Sequence, residues 1–299
     1  MSNIIIAGNK FENVNKVTFN TPDGSLATFW LEGLSPQPPT PEFDPIFANN
    51  TPEQISAVSA YISENNYNST QVKQTFGWDL QTDTKPITLT NGEVIEVGFL
   101  GFNHDDKSDG TGKAGITLGM KNCLNTDYGM SVGGHTNAGG YFNSNFATQD
   151  LPTIYNLLPD EWKSIIKPVY KKAANGGGAN YSAVITQSCN IFLLSAIELY
   201  GENANIGNNL TVSEGVEGGI NEGHIYEYWV DKINSDRVKT HVNGTTLTRG
   251  WWLRSIPSIA FLTPSGSEGG ATMYFFRCSG APQMLGARNA AGISFAFCV

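Results

Sequence analysis

The spacing of hydrophobic residues predicts two helices in the first third of the chain. Thr51 is followed by proline and, three residues later, by glutamine, a combination typical of a helix N-terminus. Ile55, Val58 and Ile62 then fall on one face of the predicted helix, which we expect to end near residue 65. A shorter helix is predicted after Ser69.

Alternating apolar and polar residues predict strands elsewhere, most clearly over residues 87–97. Asn91-Gly92 separates two alternating runs there, and this pair favours a two-residue hairpin turn in which both residues have positive φ. We expect the second strand of this hairpin to continue to Phe102 and another strand to occupy residues 116–120. Residues 151–172 instead carry two apolar stripes at helical spacing, and the apolar run 191–195 predicts a short buried strand.

Prolines divide the chain into parts. Four of them lie between residues 36 and 41, and such a segment continues neither a helix nor a central strand. Before it, residues 16–20 and 25–31 alternate around a turn. A lone hairpin is unstable, so we expect this first part to serve attachment or oligomerisation. The predicted parts are a β segment over residues 1–33, a proline-rich linker over residues 34–50 and a main domain over residues 51–299 that opens with a helical lead-in over residues 51–77.

The composition narrows the classes of partner. Lysine and arginine number 18 against 27 acidic residues, so the formal net charge is −9 and nucleic acid would be repelled on average. The first residues have neither the basic start nor the apolar length of a signal peptide or a membrane anchor. We therefore expect a chain made in the cytoplasm, without membrane insertion, that leaves the cell by lysis or in an assembled particle. The four cysteines are widely spaced and are expected to be buried free thiols.

The C-terminal region has regular ends and an irregular middle. Trp251 and Trp252 are expected on opposite faces of a strand, and Arg254 is expected to pair with a buried carboxylate or to cap carbonyl groups. Residues 256–288 show neither strict alternation nor a helical period. We interpret them as a ligand-facing surface, the alternative being an irregular core loop. The candidate ligand-binding residues are Ile256, Ser258, Ile259, Phe261, Thr272, Tyr274, Phe276, Arg277, Cys278, Ser279, Gln283, Leu285 and Arg288.

Metal-binding and catalytic motifs are weak. Asp105, Asp106 and Asp109 resemble a fragment of a calcium loop, but the closing glutamate is missing and turn formation explains the same residues. Calcium stays an alternative here, and no other cofactor is predicted. The histidines show no ligand spacing, and His135 is expected to be a solvated loop residue. No nucleophile motif stands out, so no catalytic residue is assigned.

Seven short motifs, taken together in their order along the chain, indicate a family resemblance. Their combination resembles a C-type-lectin-like domain that is common in phage and prophage tail proteins of gut bacteria. The resemblance spans roughly residues 78 to 299, and it breaks at Ile256, which separates Ser255 from Pro257. The motifs lie at residues 98–105, 109–117, 154–159, 165–169, 193–201, 250–255 and 295–298.

This resemblance implies an α+β, C-type-lectin-like fold in which strands and two helices support long irregular loops. It extends to the variable proteins of diversity-generating retroelements, in which mutagenesis rewrites codons near the C-terminus, and residues 249–299 would be such a variable region. The implied function is non-enzymatic: a receptor-binding protein at a phage or prophage tail tip.

The expected partners are a host cell-surface protein or glycan, other tail proteins, and further copies of the chain in a homo-oligomer such as a trimer. Two alternatives stay open. One is an oxidase of the formylglycine-generating type, which has the same fold and needs two cysteines close together to hold copper. The other is a purely structural tail component.

Overall fold

The structure, a computed structural model, describes residues 39–131, 137–175, 183–207, 210–216, 219–258 and 274–299, together with the backbone of four strands before residue 31. It contains two compact units, Met1–Thr40 and Pro41–Val299. Among the described residues, no helix combines the length and the apolar character needed to cross a membrane.

The smaller unit contains two antiparallel hairpins. In the second of them Lys16 lies opposite Trp30 and Asn20 opposite Leu26, so the hairpin expected from the alternating pattern is present. The first hairpin, over residues 3–12, lies within the predicted β segment, for which no pairing of these strands was specified. The strands are β1 (Asn3–Ile6), β2 (Asn9–Glu12), β3 (Lys16–Asn20) and β4 (Leu26–Trp30).

The larger unit combines helices with antiparallel sheets, which confirms the mixed α+β class. A π-helical turn, Phe146–Asp150, leads into the third α-helix. Short 3-10 helices occupy Phe47–Asn49, Tyr141–Asn143, Gly219–Glu222, Glu227–Trp229 and Asn234–Arg237. The α-helices are α1 (Pro52–Glu64), α2 (Ser69–Phe76), α3 (Leu151–Asn156), α4 (Asp160–Ile165), α5 (Ala196–Tyr200) and α6 (Val212–Gly215).

The strands of this unit form one five-stranded sheet and several smaller ones. They are β5 (Thr84–Thr88), β6 (Val94–Phe102), β7 (Ile116–Met120), β8 (Tyr128–Gly129), β9 (Val169–Ala174), β10 (Val184–Cys189), β11 (Ile191–Phe192), β12 (Asn205–Gly207), β13 (Leu210–Thr211), β14 (Trp251–Trp252), β15 (Tyr274–Ser279), β16 (Ala281–Gly286), β17 (Ala290–Ala291) and β18 (Ala296–Cys298). The five-stranded sheet has the order β11-β18-β7-β6-β5, and β14-β15-β16 form a second sheet. The pairs β9–β10, β12–β13 and β8–β17 complete the set in the described part of the chain.

Helix α1 forms as its sequence predicts. The Thr51 hydroxyl accepts a hydrogen bond from the Gln54 backbone N–H at 3.3 Å, and the Gln54 side chain accepts one from the Thr51 N–H at 2.9 Å. Ile55, Val58 and Ile62 are buried. The predicted second helix is α2, which begins at Ser69.

The β5–β6 hairpin is confirmed, but its turn differs from the prediction. The Gly92 N–H donates to the Leu89 carbonyl at 2.9 Å, and Gly92 has a φ of 86°. Asn91 is not among the residues with positive φ. The chain therefore makes a longer turn closed by one left-handed glycine, because β5 and β6 pair only as far as Thr88 and Val94.

Two predictions over residues 151–195 are corrected. The second helical piece ends at Ile165, and residues 169–174 form β9, whose partner β10 lies farther along the chain. The apolar run 191–195 is a strand only over Ile191–Phe192, and Ser195 caps helix α5.

The predicted linker is shorter than expected at its C-terminal end. Phe47 is buried against Trp78 and Phe99, with ring centroids 5.2 Å and 4.3 Å away. The Trp78 indole N–H also donates to the Asp44 carbonyl at 3.0 Å. Residues 41–50 therefore belong to the larger unit, and residues 34–38 lie outside the described part.

Two apolar clusters occupy opposite sides of the strands. Phe99, Phe275 and Phe297 belong to the first cluster. Phe276 and Cys298, their neighbours on the same strands, belong to the second. Successive residues on a strand point to opposite faces, so these strands are buried on both sides.

We predict that Gly115→Ala destabilises the larger unit by about 3 kcal/mol, because a crowded core has no room for another atom. A Cβ at Gly115 would lie 1.9 Å from the backbone oxygen of Ser59 in α1. Urea denaturation of the purified protein measures the change. Gly110→Asn is the control, since that site has open space and a φ of 76° that asparagine tolerates. Equal stability of the two variants would contradict the close packing of α1 on this loop.

Candidate functional site

The C-terminal strands place the candidate residues on two faces of one sheet. Trp252 lies opposite Arg277, and Arg277 lies opposite Gln283. Directly opposite residues share a face, and successive residues alternate between faces. Arg277 and Ser279 therefore lie on one face, and Phe276 and Cys278 on the other.

Three candidates are buried, which corrects their interpretation as ligand-facing residues. Ile256 is 1% exposed, and Phe276 and Cys278 are both 0% exposed. Ile256 packs in the first apolar cluster, and the other two pack in the second. These side chains hold the sheet between the two clusters and are not accessible to a ligand.

The remaining described candidates reach the surface. Ser279, Gln283 and Arg288 are exposed, whereas Arg277 and Leu285 are half-buried. Ser258 is also half-buried, and its hydroxyl donates to the Glu214 carbonyl at 2.7 Å. We call the shared surface of residues 277, 279, 283 and 285 the outer face.

Four candidates are not placed. Ile259, Phe261 and Thr272 lie outside the described residues, and Tyr274 is described only by its backbone at the start of β15. Their role stays a prediction.

Buried tryptophans fix the start of this region. Trp251 and Trp252 point to opposite faces, as predicted, and each is fully buried in a different apolar cluster. The Trp251 indole N–H donates to the Arg237 carbonyl at 3.0 Å, and that of Trp252 donates to the Tyr128 carbonyl at 2.7 Å. Strand β14 is therefore clamped from both sides.

Arg254 joins this strand to a buried carboxylate, as its sequence context predicted. Its two terminal nitrogens donate to Glu198 Oε2 at 2.5 Å and to Glu198 Oε1 at 2.8 Å. The same guanidinium donates to the carbonyl groups of Lys172, Leu193 and Glu222 at 2.7–2.9 Å. These five bonds use all five N–H groups of the guanidinium. A buried charge needs such hydrogen-bond partners within the protein.

A second buried cation extends the network. Lys171 Nζ donates to Glu198 Oε1 at 2.9 Å and to the Tyr226 hydroxyl at 2.7 Å, and it also forms an ion pair with Asp105. Asp105 additionally accepts from Thr117 Oγ1 at 2.7 Å. We call Asp105, Lys171, Glu198 and Arg254 the ionic cluster; each is at most 5% exposed, and its two cations balance its two carboxylates.

The cluster keeps its carboxylates ionised. Burial alone would raise the pKa of Glu198, but Arg254 and Lys171 outweigh it and lower that pKa to about 2. Lys171 likewise outweighs burial at Asp105 and lowers its pKa. Burial raises the pKa of the neighbouring Glu222, whose carboxylate accepts from the Ser255 hydroxyl. The cluster therefore fixes Arg254, and the hydrogen bond to Glu222 holds the following residue, Ser255.

The three candidate calcium ligands do not converge. Asp105 points into the ionic cluster, Asp106 pairs with Lys113 at 3.0 Å, and Asp109 accepts from the Thr111 hydroxyl at 2.7 Å. Across the described ranges, no group of three potential metal-binding side chains is present. Turn geometry and ion pairing account for these aspartates.

The cysteines have separate surroundings. Cys278 accepts from the Tyr200 hydroxyl at 2.9 Å, whereas the Cys298 thiol lies 3.3 Å from the Thr117 hydroxyl and from Asp105. All four are free, and Cys189 alone is only half-buried. Burial raises the pKa of Cys298 well above its usual range, so its thiol stays protonated.

Two histidines stack beside the ionic cluster, an arrangement with no sequence signal. The His104 ring lies between those of His224 and Tyr226, with centroid distances of 3.9 Å on both sides. Burial lowers the pKa of His104 to about 4. His135 lies outside the described residues.

The ionic cluster was missed in the sequence except at Arg254. Glu198 stands alone in the apolar stretch that ends at Tyr200, and that isolation was the available signal. Lys171 gave none, because its neighbours Lys167 and Lys172 are exposed and the three resemble an ordinary surface group.

Comparison with protein-family models, with curated proteins and with solved structures finds no match to this chain.

We predict that Arg254→Met destabilises the protein by about 3–5 kcal/mol, because it leaves Glu198 buried without its strongest partner. Urea denaturation at neutral pH measures this loss. Arg249→Met is the matched control, since Arg249 is exposed, and it should change stability by less than about 0.5 kcal/mol. Similar losses in both variants would show that the Arg254–Glu198 pair does not support the fold.

We also predict a loss of stability as the pH falls from 6.5 to 4. The folded-state pKa of His104 is about 4, below its ordinary value of 6.5, so the unfolded chain takes up the proton first. Asp105, Lys171, Glu198 and His224 are the charged or titratable neighbours that act on it. His104→Phe keeps a stacking ring without a titratable group. Urea denaturation at pH 7 and pH 4.5 should show a smaller loss in this variant, and an equal loss would contradict the assignment.

Proposed function

We propose that this chain is a non-enzymatic recognition protein that presents its C-terminal outer face to a ligand. The observation that carries the proposal is the division of β15 and β16 into two faces. One face is fixed in the second apolar cluster by Phe276 and Cys278. The other is anchored in the first apolar cluster by Phe275 and exposes Ser279 and Gln283. Ser279 and Gln283 are exposed, so these two side chains are free to change without loss of core packing.

The rigid support beneath this face favours binding. Trp251 and Trp252 are each anchored in one apolar cluster, and Arg254 is fixed by its bonds to Glu198. The adjacent Ser255 hydroxyl accepts a hydrogen bond from the Ala196 backbone N–H at 2.9 Å. A surface that is ordered before binding loses less conformational entropy when it meets a ligand. On the outer face, Ser279, Gln283 and Arg277 supply hydrogen-bond donors.

We place this function in a C-type-lectin-like tail protein of a phage or prophage, on the strength of the motifs between residues 98 and 298. In that setting residues 1–33 attach the chain to other tail proteins or to further copies in a homo-oligomer such as a trimer. Several copies in one virion raise weak single contacts to useful avidity. The ligand is a protein or a glycan of the host cell surface, and codon diversification would act on the outer face.

We predict that Ser279→Tyr combined with Gln283→Tyr lowers adsorption to host cells at least tenfold, because the added rings obstruct the outer face. Fluorescently labelled protein is incubated with a panel of gut bacteria, and bound protein is counted per cell. The melting temperature should change little, since both sites are exposed.

Thr186→Tyr combined with Gln187→Tyr is the matched control, because both residues are exposed on the separate β9–β10 hairpin. This variant should adsorb like the unmodified chain. Undiminished adsorption of the outer-face variant, or no adsorption of the unmodified chain to any strain, would contradict the proposed function.

A further inference from the structure

The distribution of arginine is uneven. The chain contains five arginines, at positions 237, 249, 254, 277 and 288, and none before residue 237. Arg237 is buried and donates to the carbonyl groups of Leu199, Trp229 and Lys232, and Arg254 belongs to the ionic cluster. Of the other three, Arg249 and Arg288 are exposed and Arg277 is half-buried.

Two of these arginines are in contact, and the third directly precedes a residue that one of them contacts. Arg277 lies on the outer face, and its guanidinium donates to the backbone carbonyl of Arg249. Arg249 in turn donates to Asn289 Oδ1 at 3.3 Å, and Asn289 directly follows Arg288. We call Arg249, Arg277 and Arg288 the arginine edge. It connects the start of β14, the middle of β15 and the turn after β16.

Among the described residues, no ion pair balances the positive charge of the arginine edge. In the described part of the chain, every ion pair involves other residues, although acidic residues outnumber basic ones overall. The Nε of Arg277 is buried without a hydrogen-bond partner. Burial and the charge of Arg249 lower the pKa of the Arg277 guanidinium. Grouped like charges oppose folding, so an anion that binds there would relieve a cost already present.

The neighbouring groups indicate the class of ligand. Guanidinium groups bind carboxylates in a planar, two-point geometry. The exposed groups beside them are a hydroxyl and an amide, Ser279 and Gln283, which hydrogen-bond well to sugars. The apolar side chains on this side of β15 and β16 are Ala281 and Leu285, both half-buried, and Phe275, which is fully buried. A stable protein partner would require a larger apolar centre.

We propose that the arginine edge binds a carboxylate-bearing polysaccharide. This inference rests on the proposed function, because it assigns a ligand class to the same outer face. The carboxylates of successive sugar units pair with the arginines, and the sugar hydroxyls bond to Ser279 and Gln283. Such contacts are exposed and electrostatic, so salt weakens them.

Binding to polygalacturonate, measured by calorimetry at low salt, tests the proposal. Neutral dextran is the uncharged comparison, and poly-glutamate is the acidic polypeptide. Polygalacturonate should bind at least tenfold more tightly than either, and the affinity should fall as sodium chloride is added. Absent binding of polygalacturonate, or tighter binding of poly-glutamate, would overturn the proposal.

Substitutions of the arginines test which residues bind the polysaccharide. Arg249→Gln combined with Arg288→Gln should weaken polygalacturonate binding at least tenfold, and the corresponding double change to lysine should weaken it less, because it keeps the charge and loses the planar contact. Lys172→Gln is the control, since it removes one exposed cation from β9 and should leave binding unchanged. Equal effects of Lys172→Gln and the arginine changes would show that only the overall charge matters and would overturn the site.

The same arginine variants also separate this inference from the proposed function. If they adsorb to cells like the unmodified chain while the outer-face tyrosine variant does not, the recognition function stands and the anionic ligand is wrong. If the tyrosine variant also adsorbs normally, both proposals fail.

Discussion

The buried pairing of Arg254 with Glu198 is the constraint on which the C-terminal half depends. Neither charge can be left inside the protein without the other, because an unpaired buried ion costs several kcal/mol. The pair therefore fixes helix α5 against the chain that follows β14. Lys171 in β9 and Asp105 in the loop after β6 join these two segments to Glu198. A salt bridge of this kind specifies one arrangement of the elements more than it adds net stability.

The ionic cluster and the apolar clusters have complementary roles. Apolar packing on both sides of β15 supplies the burial that favours folding, but it would tolerate small shifts of one strand against another. The hydrogen bonds from Arg254 to three backbone carbonyl groups are directional, so they do not tolerate such shifts. The ionic cluster thus determines the position of the sheet that bears the outer face, and the apolar contacts stabilise it there.

Local signals in the sequence predicted local structure well. The capping residues of α1 and the alternation around Asn91-Gly92 are signals that depend only on neighbouring residues. The helix and the hairpin that they predict are both present. Strand β9 was assigned as helix because its pairing with β10 depends on residues beyond its own stretch. The irregular pattern of residues 274–279 has a related cause: Phe275 and Phe276 are buried on opposite faces, so polar and apolar residues do not alternate there. Which side chains of β15 and β16 are exposed depends on tertiary packing, so the spacing of residues in the sequence could not predict it.

The long sequence separation within the ionic cluster has a consequence for biosynthesis. Asp105 and Lys171 are 66 positions apart, and Glu198 and Arg254 are 56 positions apart. A nascent chain emerging from the ribosome lacks one of the two balancing cations until residue 254 has been made. Until then Glu198 cannot settle in its final surroundings, and the apolar surfaces around it stay open to wrong contacts. Because the Arg254–Glu198 pair forms late in synthesis, the nascent chain would depend on chaperones during translation.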